Sequence, residues 1–159
     1  MKTAYFAGGC FWCMEAPFLA LAGVIDVIPG YIGGQVENPT YEMVCSGETG
    51  HFEAVRVTYD SKVVSYEQLL KAFWSKIDPT DDFGQMMDRG PQYRTAIFYD
   101  TEEEKVLAEA SKNALIESGR YMRKIVTEVL PVSKFYEAET YHHHYYEKMK
   151  QKYIGLNFT

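Results

Sequence analysis

Two cysteines, Cys10 and Cys13, lie three residues apart in the stretch GGCFWCME, directly after a pair of glycines. The glycines permit a tight turn after a short strand candidate, and the segment that begins at Cys10 is predicted to be helical. A thiol at a helix N-terminus is close to the positive end of the helix dipole, which favours its thiolate. Cys10 is therefore the stronger candidate for a nucleophile.

Cys13 would lie about one helical turn from Cys10, a separation that is compatible with a disulfide. It could therefore resolve an oxidised Cys10. Two other interpretations compete. Free cysteines are often small buried core residues, and a C-x-x-C pair can be half of a zinc site.

The zinc interpretation is disfavoured because a structural zinc site needs four ligands and the chain has no second C-x-x-C. The three consecutive histidines, 142 to 144, would fan out by about 100° per residue on a helix and could not converge on one metal. We interpret them as a polar patch on the last helix, so no metal site is predicted.

Phe11 and Trp12 stand between the two cysteines. Residue type alone would assign both rings to the core. Beside a reactive thiol, however, they could form the walls of a pocket for a small apolar group such as a methyl, held by dispersion and by aromatic contacts with sulfur.

A carboxyl group is predicted on an apolar face in the strand candidate HFEAVRVTYD, residues 51–60. The period of two places Glu53 on the same side as Val55 and Val57. Desolvation there would raise the pKa of Glu53 and make it a candidate neutral general acid. The alternative is a frayed strand end that leaves the carboxyl solvated.

The predicted elements alternate along the chain. A capping box, Ser65 with Gln68, opens one helix, and Thr101 with Glu104 opens another over 102–118. Further helices are predicted over 10–23 and 138–154, and strands over 3–7, 24–34 (broken by turn residues), 51–60, 93–100 and 124–132. Residues 35–50 and 78–92 are predicted to be long loops. This order predicts a two-layer helix-on-sheet sandwich.

Composition narrows the classes of function. With 159 residues and no repeat or linker, we expect one domain, 1–159. A net charge of -6 without a Lys/Arg cluster argues against nucleic acid. Without a long apolar run or an N-terminal signal, we expect no membrane association and a cytoplasmic location. Three cysteines are too few for a disulfide scaffold.

Six blocks of the sequence carry a resemblance that spans almost the whole chain. They are GGCFW, GYIGG, NPTYEMVCSGETGHFEAV, DPT, DRGPQYRTAIFY and AETYHHHYYEK. Through them the chain resembles the peptide methionine sulfoxide reductases of the A class. The resemblance implies reduction of the S epimer of methionine sulfoxide, free or in proteins, and hence repair of oxidised proteins. It also implies an α+β fold with a ferredoxin-like core and long loops, recycling by thioredoxin or another thiol reductant, and no bound cofactor.

The resemblance also implies roles for single positions. Cys10 matches the nucleophile that attacks the sulfoxide sulfur, and Glu53 matches the acid. The positions that match substrate-contacting residues are Phe11, Trp12, Tyr41, Asp88 and Tyr93. Tyr41 and Tyr93 would hold the sulfoxide oxygen, and Asp88 would line the site. Release of methionine would leave Cys10 as a sulfenic acid.

The chain departs from the commoner family pattern, in which a resolving cysteine lies in a C-terminal tail. It has no cysteine after Cys45. Cys13 is the favoured resolving thiol because it lies near Cys10, whereas Cys45 is expected to be packed and inert. Direct reduction by an external thiol is the third possibility.

Two other functions would use some of the same residues. A thioredoxin-like dithiol oxidoreductase needs the C-x-x-C pair but gives Glu53 no role. A binding module for methionine-containing peptides would use Phe11 and Trp12 but gives Cys10 no role.

Overall fold

The structure is a computed structural model and describes residues 1–143 of the chain. The strands are β1 (Lys2–Gly8), β2 (Val24–Ile32), β3 (Phe52–Tyr59), β4 (Gly84–Gln85), β5 (Asp88–Arg89), β6 (Thr95–Tyr99), β7 (Glu128–Pro131) and β8 (Tyr136–Glu137). The helices are α1 (Phe11–Leu19), α2 (Tyr41–Cys45), α3 (Tyr66–Lys76) and α4 (Glu102–Glu117). Short 3₁₀ turns cover Pro91–Tyr93 and Thr140–His142.

The main sheet has the strand order β7-β6-β1-β3-β2-β8. β1 and β2 are both antiparallel to β3, so they are parallel to each other and are joined by α1. β3 and β6 are both antiparallel to β1 and are joined through α3. The central four strands with α1 and α3 therefore form a βαββαβ unit, the ferredoxin-like core that the resemblance implies. This confirms the predicted α+β fold.

The main core lies between the sheet and the helices. Phe6 of β1 and Val55 and Val57 of β3 are fully buried against Phe18 of α1 and Phe73 of α3. A smaller cluster on the other face of the sheet contains Ala7, Ile32, Phe52, Ala54, Ala96 and Phe98. The partly buried residues Tyr5, Leu130, Val132 and Phe135 pack against it. The helices therefore form one layer over one face, and the two-layer prediction is confirmed.

Local sequence signals place the helix starts correctly. The Ser65 hydroxyl accepts from the Gln68 amide at 3.1 Å, and the Gln68 side chain accepts from the Ser65 amide at 2.8 Å, so the capping box is formed. At α4, Thr101 accepts from the Glu104 amide at 3.1 Å. The strands β1, β3, β6 and β7 all fall within or beside their predicted ranges.

One predicted helix end and one predicted strand interruption are wrong. α1 ends at Leu19, before Gly23, which has a φ of 99° and turns the chain into β2. β2 is not broken by Pro29. The Pro29 carbonyl accepts from the Ala138 amide at 2.9 Å, on the β8 side of the strand. The missing N–H of Pro29 faces that same side, so pairing with β3 continues.

The two predicted loops contain short elements. Residues 35–50 include α2, which is capped by the Thr40 side chain. Residues 78–92 include the β4–β5 hairpin, whose Arg89 guanidinium pairs with both oxygens of the Asp81 carboxylate at 2.6 and 3.0 Å. These elements are stabilised by local polar contacts rather than by apolar periodicity, so the sequence pattern did not indicate them.

The last predicted helix, 138–154, is not observed where it can be checked. Residues 140–142 form one 3₁₀ turn, and residues 144–154 lie outside the described part of the chain. None of the helices within residues 1–143 has the length and apolar composition that a bilayer-crossing segment requires.

Candidate active site

Cys10 lies at the N-cap of α1, directly after Gly8, the last residue of β1, and Gly9. A Cβ at Gly8 would lie 2.6 Å from the Met14 sulfur and 2.9 Å from Ile77, and Gly9 has a φ of 92°. Glycine is therefore required at Gly8 by close packing and favoured at Gly9 by its backbone conformation. The turn holds Cys10 half-buried at the start of the helix, as predicted.

Cys13 is exposed on the first turn of α1, and its amide donates to the Cys10 carbonyl at 3.0 Å. The two Sγ atoms lie within 4.8 Å of each other. A hydrogen bond between the thiols lowers the pKa of Cys13 to about 6. The same bond raises the pKa of Cys10, and burial and the nearby Glu53 raise it further.

These pKa shifts differ from the prediction that the helix start would favour a Cys10 thiolate. The Trp12 amide does lower the pKa of Cys10, but the effects of Cys13, burial and Glu53 outweigh it. The reason is that close side-chain charges and desolvation exceed the effect of one helix terminus. The pair therefore holds one proton tightly and releases the other readily.

Glu53 projects from β3 into the helix-side core and is only 1% exposed. Its Oε1 atom accepts from the Phe11 amide at 3.3 Å, whereas its buried Oε2 atom has no hydrogen-bond partner among residues 1–143. Burial raises the pKa of Glu53 to about 8, against the opposing effect of the Phe11 amide. The apolar-face prediction is confirmed, and the frayed-end alternative is wrong because Glu53 pairs with Tyr31 in the sheet.

Tyr41 and Tyr93 approach this carboxyl from two different loops. Tyr41 begins α2, and Tyr93 ends the 3₁₀ turn before β6. Burial raises the pKa of both phenols, and the charge of Glu53 raises both further. Both hydroxyls therefore remain protonated and can donate hydrogen bonds.

The two rings between the cysteines have different surroundings. Phe11 is fully buried, 5.9 Å from the Tyr31 ring and 6.2 Å from the Tyr41 ring. Trp12 is half-buried and stacks on Tyr41 at 6.1 Å. Of the two predicted pocket walls, only Trp12 offers surface to a ligand without a rearrangement.

Two residues that the sequence pattern does not indicate, His142 and Glu139, support these rings. His142 is 2% exposed and packs 5.3 Å from the Phe11 ring and 4.4 Å from the Tyr41 ring, so it is not part of a polar surface patch. Glu139 accepts from the Tyr31 hydroxyl at 3.0 Å and from the Tyr41 amide at 3.1 Å. Neither contact has a signal in local spacing, because the partners are about 100 residues away along the chain.

A cavity of about 440 Å³ opens beside the thiols. Cys10 and Cys13 line it together with Asp88 of β5, whose carboxylate lies within 4.8 Å of both sulfurs. A cavity of about 630 Å³ lies elsewhere, between α3 and α4, and is lined mainly by apolar groups such as Leu70 and Leu107. Because it contains neither the thiols nor Glu53, it is not the candidate site.

Cys45, at the end of α2, is exposed rather than packed. This corrects the prediction that Cys45 is packed. A hydrogen bond between the Tyr41 hydroxyl and the Cys45 thiol is among the causes that raise the pKa of Tyr41. Cys45 does not belong to the cluster of close donor atoms that Cys10, Cys13 and Asp88 form.

Comparisons with known proteins agree on one family. The family model described as peptide methionine sulfoxide reductase matches residues 2–159. The chain is 56% identical over 147 residues to peptide methionine sulfoxide reductase MsrA of Bacillus subtilis, covering 92% of this chain and 83% of that protein. It is 52% identical over 153 residues to the MsrA of Halalkalibacterium halodurans, covering 96% and 87%.

Solved structures give the same result. Reduced Mxr1 from Saccharomyces cerevisiae superposes with a TM-score of 0.84 at 31% identity, covering 94% of this chain and 86% of that one. Methionine sulfoxide reductase A of Corynebacterium diphtheriae superposes with a TM-score of 0.81 at 33% identity, covering 92% and 74%. The chain belongs to the peptide methionine sulfoxide reductase family.

Proposed function

We propose that this chain reduces the S epimer of methionine sulfoxide, free and in proteins, with Cys10 as nucleophile and Glu53 as general acid. The observation that carries the proposal is a neutral, buried carboxyl whose Oε1 accepts from the amide of Phe11, the residue next to Cys10. Oxide is a poor leaving group, so attack on the sulfoxide sulfur needs an acid that protonates the oxygen. A carboxyl with a pKa of about 8 is protonated at neutral pH and can supply that proton.

In the first step, Cys10 Sγ forms a bond to the substrate sulfur as Glu53 transfers its proton to the sulfoxide oxygen. Tyr41 and Tyr93 donate hydrogen bonds to the same oxygen and stabilise its developing charge. The lowered pKa of Cys13 makes its thiolate available at neutral pH, and this thiolate accepts the Cys10 proton along the hydrogen bond as Cys10 attacks. Methionine leaves as the hydroxyl shifts to Cys10, which becomes a sulfenic acid.

In the second step, Cys13 attacks the Cys10 sulfenic acid, water leaves and a disulfide forms. The short distance between the two Sγ atoms and the exposure of Cys13 support this assignment. Cys45 is also exposed, but it lies at the end of α2, outside this cluster. Across the two steps, one sulfoxide and two thiols are converted into one thioether, one disulfide and one water.

An external dithiol then reduces the disulfide. We assign this role to thioredoxin, and Mxr1 from S. cerevisiae, whose fold this chain shares, has been crystallised in complex with Trx2. A cytoplasmic location, where thioredoxin keeps thiols reduced, is part of the same proposal.

A single-turnover assay tests the proposal. Reduced protein, freed of reductant, is mixed with a methionine (S)-sulfoxide amide, and methionine is counted per chain. We expect a burst of about one methionine, no burst in Cys10→Ser, and a Cys10–Cys13 disulfide on peptide mapping. No burst, together with rapid reduction of insulin disulfides, would instead indicate a dithiol oxidoreductase. A bond from Cys10 to Cys45 would contradict the choice of resolving thiol.

A further inference from the structure

Three atoms that could act as metal ligands lie close together at the start of α1. They are the Sγ atoms of Cys10 and Cys13 and a carboxylate oxygen of Asp88, and all three lie within 4.8 Å of one another. Asp88 reaches the thiols from β5, about 75 residues further along the chain. The C-x-x-C pair alone offers two ligands, and the fold adds the third.

We propose that the reduced Cys10–Cys13 pair and Asp88 form a binding site for a thiophilic divalent cation of the Zn²⁺ class, and that the bound ion holds the enzyme inactive. Binding of the ion concerns the ligands alone, whereas its inhibitory effect rests on the proposed role of Cys10 as the nucleophile. It assigns the ion an inhibitory role, not that of a cofactor.

The geometry is close to what such an ion requires. Zn²⁺ binds thiolate sulfur at about 2.3 Å and carboxylate oxygen at about 2.0–2.2 Å, so tetrahedral donors lie about 3.7 Å apart. Donors within 4.8 Å of one another need to close by about 1 Å, which side-chain rotation in an open cavity can supply. A spacing of two residues between cysteines is also common in zinc sites.

The surroundings favour a cation and leave room for it. The cavity is lined by the acids Asp78, Asp81 and Asp88, against the bases Lys76 and Arg89. Arg89 is already neutralised by its bidentate pair with Asp81. The Asp88 side chain has no hydrogen bond or ion pair among residues 1–143, so its oxygens are available to a ligand. The cavity volume of about 440 Å³ leaves a fourth position open to water.

The consequence follows from the ligand set. An ion on Cys10 occupies the lone pair that would attack the sulfoxide, and the same ion also binds the Cys13 sulfur. Binding needs both thiolates, so the disulfide cannot bind the ion. The cation would therefore hold back only the reduced enzyme, and a chelator would release it.

Cd²⁺ titration of the reduced, full-length protein tests the proposal through thiolate-to-metal charge transfer in the near ultraviolet. We expect one saturable site per chain, no site in the Cys10–Cys13 disulfide form of the same protein, and competition by Zn²⁺. Cys13→Ser should weaken binding by about 100-fold or more and Asp88→Asn by about 10- to 100-fold.

Two matched control variants distinguish this site from nonspecific binding of the metal to exposed thiols. Cys45→Ser removes an exposed thiol outside the cluster, and Asp82→Asn removes a nearby exposed acid that does not line the cavity. Both should bind Cd²⁺ as the unchanged protein does. Unaltered binding in Cys13→Ser, loss of binding in Cys45→Ser, or the absence of a saturable site would each overturn the proposal.

Discussion

Cys10 has two sides with opposite physical character. On its thiol side, Cys13, Lys76 and Asp88 border an open cavity, and Cys13 is exposed. On its acid side, Glu53 is 1% exposed and Phe11 is fully buried against the sheet.

The contrast corresponds to two chemical requirements. Protonation of an oxide needs an acid that is neutral at physiological pH, and only exclusion of water keeps a carboxyl in that state. Exchange with a protein reductant needs a disulfide that a second protein can reach. In the proposed reaction, one buried side and one open side would let a single sulfur take part in both steps.

Cys10→Ser is the largest expected effect, since both sides act on this sulfur. We expect the burst of methionine to fall by more than about 10³-fold. The fold should be retained because serine is a good N-cap residue. Quantified methionine release and the far-ultraviolet circular dichroism spectrum check the two statements, and a residual burst near the unchanged level would mean that another group attacks.

Glu53→Gln tests the acid side. The single-turnover rate should fall by about 10²- to 10⁴-fold, the usual contribution of a general acid. In the unchanged protein the rate should decline as pH rises above about 8, where Glu53 loses its proton. Glutamine has no such proton, so its rate should not show this decline.

The same substitution should stabilise the protein at high pH. The pKa of Glu53 is raised from 4.5 to about 8 on folding, so between these values the unfolded chain ionises the carboxyl and the folded chain does not. The folded state therefore loses stability as pH rises through this window, by an amount on the order of several kcal/mol. Urea unfolding should show Glu53→Gln to be more stable than the unchanged protein at pH 8.5, with a smaller difference at pH 5.

Cys13→Ser tests the thiol side. The burst of methionine should persist, while thioredoxin-dependent turnover should fall by about tenfold or more, because no local thiol resolves the sulfenic acid. The rise in burst rate that we expect near pH 6 should move to higher pH, since Cys13 no longer accepts the Cys10 proton. Cys45→Ser is the matched control and should leave turnover unchanged. If it abolishes recycling instead, the assignment of the two thiols is reversed.

Tyr41→Phe is the smallest expected change on the acid side. Loss of one donor to the sulfoxide oxygen should lower the single-turnover rate by about 10- to 100-fold. Tyr31→Phe is its control, because the Tyr31 hydroxyl is held by Glu139. That variant should lose about 1 kcal/mol of unfolding free energy with little change in rate. Equal rate losses in both would show that the effect is structural.

The parts of the site that were predictable are those set by local spacing. The Gly-Gly turn indicated the position of Cys10 at a helix start, and the period of two in β3 indicated the face of Glu53. The packing of Cys45 was predicted wrongly, because nothing in the neighbouring sequence shows that the end of α2 is exposed.

Contacts between distant segments were not predictable from spacing. Asp88 reaches the thiols through a hairpin held by polar pairs, and His142 packs under rings that are more than 100 residues earlier in the chain. The pKa order of the two thiols depends first on the hydrogen bond between Cys10 and Cys13, and burial and the distant Glu53 raise the pKa of Cys10 further.

The sequence by itself determined the family, the order of the elements and the residue types that can do the chemistry, because motifs, capping residues and periodicity are local properties of a chain. Only the tertiary structure decided which side of Cys10 is buried and which is open, and which distant carboxylates lie near it. Burial and electrostatics depend on the three-dimensional neighbours of a group, and these set the pKa of Glu53 and the accessibility of Cys13.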